Sequence, residues 1–285
     1  MNVPHLLGVG LALASAAAWG SGDFSGGLAA RRTDQFRVLA QAALSGLGVL
    51  VLLAWISDEP MPTMRNVWWA LSAGVSGAIG LAGLYRGLSD NPAASFAPVV
   101  AVVGASVPVL AGALSVGFPA PTEVAGVSAA LAAIWLVSRV RREPGLDASF
   151  EQNRNLGLAV ASGLAFGGFF ILVAQIDREV VFGPLAVARV GTLAVAVAAV
   201  GARGVGWPRP TEHPAALVAG VLDAGGTVLY LLATRFTRMD VAAVLGSLYP
   251  AVTVLLALRF QGERVTRVQG VGLAVCLLAV ALIAL

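Results

Sequence analysis

Two aspartates stand inside long apolar segments of this 285-residue chain. Asp223 lies about nine residues into the segment 214–235, and Asp23 lies about two-thirds along the segment 6–29. An ionisable side chain in the middle of a membrane costs about 2.5–3.5 kcal/mol, so such residues are functional candidates by default. A carboxyl group removed from water can exchange a proton or hold a polar group of a solute. We therefore take both residues as candidates for solute binding and for proton coupling.

Both aspartates also have a structural interpretation. Asp223 would then be hydrogen-bonded to serine, threonine or backbone groups inside a helix bundle. Asp23 would form an ion pair with Arg37, which begins the next segment, or with Arg86, which ends the third. The sequence leaves these alternatives open beside the functional ones.

Arg189 lies inside the segment 184–205, about two turns from its start. A guanidinium there can bind a carboxylate or phosphate of a solute through paired hydrogen bonds. Arg37 is taken to occupy the matching place in the first half of the chain. Because paired arginines near segment starts more often reach lipid headgroups or anchor loops, we favour that interpretation for both.

Aromatic residues and prolines complete the set of candidates. Aromatic faces can stack on a planar solute or a cation, although packing between helices also explains aromatic residues at this spacing. Prolines at mid-membrane free a carbonyl and permit bending, although a kinked helix can equally be static. We predict solute contacts for Trp19, Tyr85, Phe166, Tyr230 and Tyr249, and hinges at Pro98, Pro108 and Pro250.

The elements that must position these residues are membrane-spanning helices. The chain is 58% hydrophobic and only 12% charged, which is too little charge to cover a soluble domain of this length. About ten windows of ~20 residues are long enough to cross the ~30 Å hydrocarbon core. They lie near 6–29, 36–56, 66–87, 92–116, 122–140, 155–176, 184–205, 214–235, 239–259 and 266–285.

The segments repeat in order, five followed by five. Trp19 in the first segment falls opposite Phe166 in the sixth, and the pairs Gly74 with Gly220, Gly80 with Gly226 and Pro108 with Pro250 follow the same order. An odd number of spans inverts the second copy, a construction used by secondary transporters. The sequence thus predicts an all-α integral membrane protein: ten transmembrane helices in two inverted five-helix repeats around a central cavity. The repeats would be 1–140 and 155–285, joined by a polar linker at 141–154.

The pattern resembles the drug/metabolite transporter superfamily, in its ten-span EamA-type branch. The resemblance rests on Ala17–Ser21 (Ala-Ala-Trp-Gly-Ser), on Arg37 and Arg189, and on the series Leu248-Tyr249-Pro250, Gly262-Glu263 and Gln269-Gly270. The first repeat departs from that series, with Gly117-Phe118-Pro119 where the Gly-Glu pair would fall. The resemblance implies alternating access, commonly for export of amino acids or other small metabolites. It also implies a cavity lined mainly by the first, third, fourth, sixth, eighth and ninth spans.

The function expected from these observations is secondary transport of a small polar or amphipathic metabolite across a bacterial-type cytoplasmic membrane. Export is favoured, with proton coupling as a further hypothesis. An uncoupled channel or facilitator, and an importer of the same fold, are the alternatives. The expected partners are a solute, the bilayer and protons, with a monomer and a homodimer both open.

Other function classes have little support in the residues. His5 and His213 are far apart and Cys276 is the single cysteine, so we expect neither an enzyme nor a metal site, and no cofactor. The net charge of +3 is spread over short loops, which disfavours nucleic-acid binding. The loop arginines favour an outside N-terminus, whereas the resemblance implies that both termini are cytoplasmic.

Overall fold

The computed structural model describes residues 3–116, 148–177, 179–209, 212–262 and 266–284, with scattered helical residues between 121 and 132. Every regular element in these ranges is an α-helix. The predicted segment 122–140 and residues 141–147 of the predicted linker lie largely outside the described residues. The helices are α1 (Val3–Ala30), α2 (Gln35–Ile56), α3 (Met64–Asp90), α4 (Ala93–Val116), α5 (Ala148–Val173), α6 (Phe182–Arg203), α7 (Pro214–Phe236), α8 (Met239–Gly246), α9 (Tyr249–Phe260) and α10 (Arg267–Ala284).

Six stretches within the described residues are helical, long and apolar enough to cross a membrane. They are Gln35–Ile56, Met64–Asp90, Asn155–Val173, Phe182–Arg203, Pro214–Phe236 and Val241–Phe260, and a shorter apolar stretch is Phe96–Gly112. The predicted membrane character is therefore confirmed, while the count of ten spans stays a prediction.

Two segments differ locally from their prediction. Helix α5 begins at Ala148, inside the predicted linker, so polar residues extend this helix ahead of its apolar part. The predicted span 239–259 is divided into α8 and α9 by a turn at Ser247 and Leu248. The turn directly precedes Tyr249, and the next residue, Pro250, has no N–H to continue the helical ladder. Pro98 and Pro108, in contrast, lie within α4.

Helix α1 packs along α7, and α3 packs along α5 in the corresponding way. Both pairs are antiparallel: Gly8 lies against Phe236 and Gly22 against Ala219, while Gly83 lies against Ser162. The aligned aromatic residues occupy equivalent places, because Trp19 covers Gly226 and Phe166 covers Gly80. These contacts agree with the predicted matches between the first and sixth and the third and eighth segments.

Glycine allows two further helix pairs to approach closely. A Cβ at Gly74 would overlap the carbonyl of Ala188 in α6, and a Cβ at Gly220 would overlap the carbonyl of Ala42 in α2. Small residues of this kind let backbones meet in lipid. Since Gly74 and Gly220 correspond, Ala42 corresponds to Ala188.

This register corrects the predicted pairing of the two arginines. Counting one residue on from Ala42 and Ala188 places Arg189 opposite Ala43, not opposite Arg37. Thr192 supports the register, because its hydroxyl donates to the carbonyl of Gly74 at 3.0 Å and its equivalent Gly46 lies against the carbonyl of Gly220.

Polar contacts fix the connections at the ends of the helices. Arg37 donates to Glu212 at 2.8 Å in the segment before α7, which confirms a loop-anchoring role for this arginine. A hydrogen bond from the Arg209 amide, together with Arg37, lowers the pKa of Glu212. At the other end of the bundle, the Glu59 carboxylate accepts hydrogen bonds from the amides of Val181 and Gly183, where α6 begins.

The packing of α7 on α2 generates a first prediction. Replacing Gly220 with alanine forces a methyl group into the Ala42 carbonyl, and such overpacking costs about 1–3 kcal/mol. We expect a lower midpoint of thermal unfolding in detergent, measured by intrinsic fluorescence. Gly225→Ala on the same helix is the matched control, because nothing lies within 4 Å of a Cβ there. Equal midpoints for the two variants would show that close approach at Gly220 does not matter.

Candidate functional site

A cavity lies at the centre of the bundle, between α1, α3, α5, α6, α7 and α9. Space for water molecules amounts to about 40 Å³, within a volume of about 570 Å³ that also includes open solvent. The space is therefore narrow, with room for a few waters. Its lining is Trp19, Asp23, Gly74, Gly77, Leu81, Phe166, Phe169, Phe170, Leu185, Ala188, Arg189, Thr192, Asp223, Thr227 and Tyr249.

The set of lining helices differs in one member from the set implied by the resemblance. The seventh segment, α6, contributes four residues, whereas no described residue of α4 is part of the lining. The reason is the contact between Gly74 and Ala188, which brings α6 against α3 at the level of the cavity. Helix α4 packs instead on the outer side of α5, where the Val103 and Val107 side chains fill the space above Gly163 and Gly167.

Arg189 and Asp223 form a buried ion pair in this cavity. The Nη1 of Arg189 donates to Oδ2 of Asp223, and Nη2 donates to the hydroxyl of Thr227 at 3.1 Å. Thr227 in turn donates to the carbonyl of Asp223 at 2.8 Å, and Trp19 Nε1 approaches the same carbonyl at 3.3 Å. A charge this far from water requires a partner and further hydrogen bonds. Arg189 supplies the counter-charge that Asp223 needs, and Asp223 supplies the one that Arg189 needs.

The lipid-headgroup interpretation of Arg189 is therefore wrong. The residue is only 7% exposed and its guanidinium lies between α6 and α7. Sequence reasoning set it aside because Arg37 seemed to be its counterpart. The sequence does contain an indication that Arg189 pairs with Asp223. Asp223 needs a counter-charge, and Arg189 is the arginine placed well inside a neighbouring span.

Asp23 lines the same cavity but pairs with no described residue. Its side chain is 5% exposed, and among the described residues none donates a hydrogen bond to its carboxylate or pairs with it. The two arginines considered as its partners are engaged elsewhere: Arg37 with Glu212, and Arg86 with Asp90 at 2.9 Å. The structural ion pair considered as an alternative for Asp23 is thus absent in the described part of the chain.

Aromatic side chains form one side of the cavity. Trp19 lies 5.6 Å from Phe170 and 6.4 Å from Phe169, both measured between ring centroids. Phe166 and Tyr249 meet at 6.5 Å. The hydroxyl of Tyr249 is buried and has no hydrogen-bond partner within the described residues. The cavity therefore combines apolar ring surfaces with two polar groups that lack partners, on Asp23 and Tyr249.

The two remaining aromatic candidates lie behind the lining. Tyr230 is fully buried, stacks 5.6 Å from Trp19, and donates its hydroxyl to the carbonyl of Phe170 at 3.3 Å. Tyr85 is also fully buried, and its ring fills the space left by Gly26. The structure thus brings Trp19, Asp23, Phe166, Asp223 and Tyr249 together and places Tyr85 and Tyr230 outside the surface they share.

None of the charged lining residues is repeated in the other half of the chain. Asp223 corresponds to Gly77, Asp23 to Phe170, and Arg189 to Ala43. The backbone scaffold of the cavity is therefore duplicated, while its charges are not.

The ion pair generates a second prediction. Arg189→Ala leaves Asp223 buried without a partner, and removing one member of a buried pair costs about 3–5 kcal/mol. We expect a large fall in the unfolding midpoint, and partial recovery in the double variant Arg189→Ala with Asp223→Asn, which has no unpaired charge at this position.

The matched control is Arg86→Ala, which removes half of an exposed pair with Asp90 and is expected to change stability by about 0–1 kcal/mol. If Arg189→Ala were as stable as Arg86→Ala, the pair would not have the importance assigned to it.

Comparison with known proteins agrees with this architecture. The sequence pattern of the EamA-like transporter family matches residues 6–139 and again residues 154–285. One solved crystal structure of a protein is similar in fold, with a TM-score of 0.67 and 18% identity, over 98% of this chain and 95% of that one. No curated protein matches the chain. The two family matches cover nearly the whole sequence, so this chain is a multi-pass membrane protein that belongs to the EamA-like transporter family.

Proposed function

We propose that this protein is a secondary transporter that moves a small polar or amphipathic metabolite, such as an amino acid, across a bacterial-type cytoplasmic membrane. Export by alternating access is the favoured mode. The observation that carries the proposal is a cavity at the centre of a two-repeat helical bundle, lined by unpartnered polar groups and aromatic rings. Family membership supports a transport role for such a cavity.

The helix contacts support two inverted repeats. Helix α5 runs antiparallel to α3, and Asn155 near the start of its apolar part bonds to Asn91 just after the end of α3 at 2.8 Å. The second half therefore starts at the end of the bundle opposite to the start of α1. Exchange of conformation between two such halves opens a shared site first to one side and then to the other.

The break between α8 and α9 is a candidate for the moving part. Ser247 and Leu248 leave the helix directly before Tyr249, which lines the cavity, and Pro250 prevents the ladder from closing. A change of angle at this turn would move the Tyr249 ring relative to Phe166. Pro98 and Pro108 in α4 are further hinge candidates, although they lie away from the lining.

Proton coupling is assigned to Asp23 in preference to Asp223. Arg189, Asp223 and Tyr249 line the same cavity as Asp23, and the buried hydroxyl of Tyr85 lies behind it within electrostatic reach of that carboxylate. Asp223 is held by Arg189, so its carboxylate has a permanent counter-charge. Asp23 has none, and a proton or a cationic group of a solute can neutralise it.

The carrier hypothesis predicts counterflow in proteoliposomes. Vesicles loaded with an unlabelled solute should accumulate the labelled solute transiently, and uptake should saturate, because each cycle moves one bound molecule. A panel of amino acids and simple amines is the starting set of solutes. Flux that rises linearly with concentration, without counterflow, would instead favour the channel alternative.

Coupling predicts a specific effect of Asp23→Asn. The amide of asparagine cannot exchange a proton, so a pH gradient should stimulate transport about tenfold less or worse. The proton movement that accompanies transport is followed by a pH dye inside the vesicles. Asp23→Glu should retain part of the stimulation. Asp90→Asn, at an exposed aspartate outside the cavity, is the control. Full stimulation in Asp23→Asn would remove Asp23 from the coupling step, and its loss in Asp223→Asn alone would reassign the step to Asp223.

A further inference from the structure

We propose that the cavity selects a small organic monocation, a protonated amine attached to an apolar body. This inference rests on the proposed transport function and narrows it to one class of solute. Its basis is the balance of charge and hydrogen-bonding groups that remains in the cavity after all internal contacts are counted.

The positive charge of the cavity, on Arg189, is already paired with Asp223. Arg189 donates to the Asp223 carboxylate and to the Thr227 hydroxyl, and Thr227 is itself tied to the Asp223 backbone. A solute carboxylate that took Arg189 would leave Asp223 unpaired in a site only partly reached by water. That exchange is unfavourable, because an uncompensated buried charge is costly. The site is thus poorly suited to recognise an anion.

The negative charge of the cavity is free. Asp23 is 5% exposed and has no donor among the described residues, although it lies in the same lining as Arg189. With Arg189 and Asp223 neutralising each other, the cavity carries one net negative charge when Asp23 is ionised. A monocation restores neutrality with a single contact.

The unpartnered hydroxyl of Tyr249 adds a second acceptor. An ammonium group has three donors and no acceptor, so it can serve Asp23 and Tyr249 together. The Tyr249 side chain is 5% exposed and its hydroxyl has no other partner within the described residues. Both groups would then gain hydrogen bonds that the described residues do not give them.

The rest of the lining suits the apolar part of such a molecule. Trp19, Phe166 and Phe169 present ring surfaces, and ring faces attract cations as well as hydrocarbon. Gly74 and Gly77 also belong to the lining and place no side chain in the cavity. The narrow space favours a slender molecule over a bulky one.

A series of four compounds with one skeleton tests the charge requirement on the unaltered protein. Phenethylamine is cationic near neutral pH, phenylalanine is zwitterionic, hydrocinnamate is anionic, and phenethyl alcohol is neutral. We expect phenethylamine to raise the unfolding midpoint of the purified full-length chain and the other three to bind about tenfold more weakly or worse. Ethylamine and isoamylamine match the narrow space more closely, because a phenyl ring fits only if the aromatic side chains of the lining move apart.

Variants then locate the charge. Asp23→Asn should lose the effect of phenethylamine, Asp23→Glu should keep part of it, and Asp90→Asn should behave as the unaltered protein. Circular dichroism and gel filtration confirm that each variant is folded. If Asp23→Asn does not fold, the compound series on the unaltered chain still decides the question.

Several results would overturn the inference. Equal protection by phenylalanine and phenethylamine, stronger protection by hydrocinnamate, or no protection by any of the amines would each do so. Retained protection in folded Asp23→Asn would also do so. Failure here is distinguishable from failure of the transport proposal, because counterflow of an amino acid or another non-amine would leave transport intact while removing this solute class.

Discussion

The ion pair between Arg189 and Asp223 is the interaction on which the rest of the cavity depends. Neither charge is tolerable alone at this depth, so α6 and α7 must stay in contact where the two residues meet. The Arg189 guanidinium also donates to Thr227, a second lining residue of α7. It also neutralises one of the two carboxylates of the lining, whereas no described residue pairs with Asp23.

Much of the fold follows from the sequence, because lipid restricts the chain to helices that satisfy their own backbone. Hydropathy predicts the long helices, and the ordered repeat predicts that Trp19 and Phe166 occupy equivalent places over Gly226 and Gly80. Hydropathy does not predict the early start of α5 at Ala148, since a helix can extend beyond the apolar region. Nor does it fix which helices surround the cavity, because that depends on close approach at Gly74.

The sequence predicts those site residues that stand out within their own segment, without reference to a partner on another helix. Asp23 and Asp223 stand out as charges in apolar segments, and Trp19, Phe166 and Tyr249 stand out as aromatic residues in the central spans. Arg189 did not, because its role depends on a partner on another helix. An alignment guided by arginine identity paired it with Arg37, whereas the backbone contacts pair it with Ala43. Contacts between small residues are therefore a better guide to register in such repeats than shared charged residues.

The helices around the cavity are repeated in the two halves of the chain, but the charged residues are not, and this affects the relative energies of the conformations. If two equal halves exchange conformations, the states open to either side would be isoenergetic by symmetry. Here Asp23, Arg189 and Asp223 correspond to Phe170, Ala43 and Gly77 in the other repeat, so two such states would differ in energy. In the proposed alternating-access cycle, the protein without solute would therefore prefer one orientation and bind solute unequally on its two sides, and the placement of three side chains would set the sign of that preference.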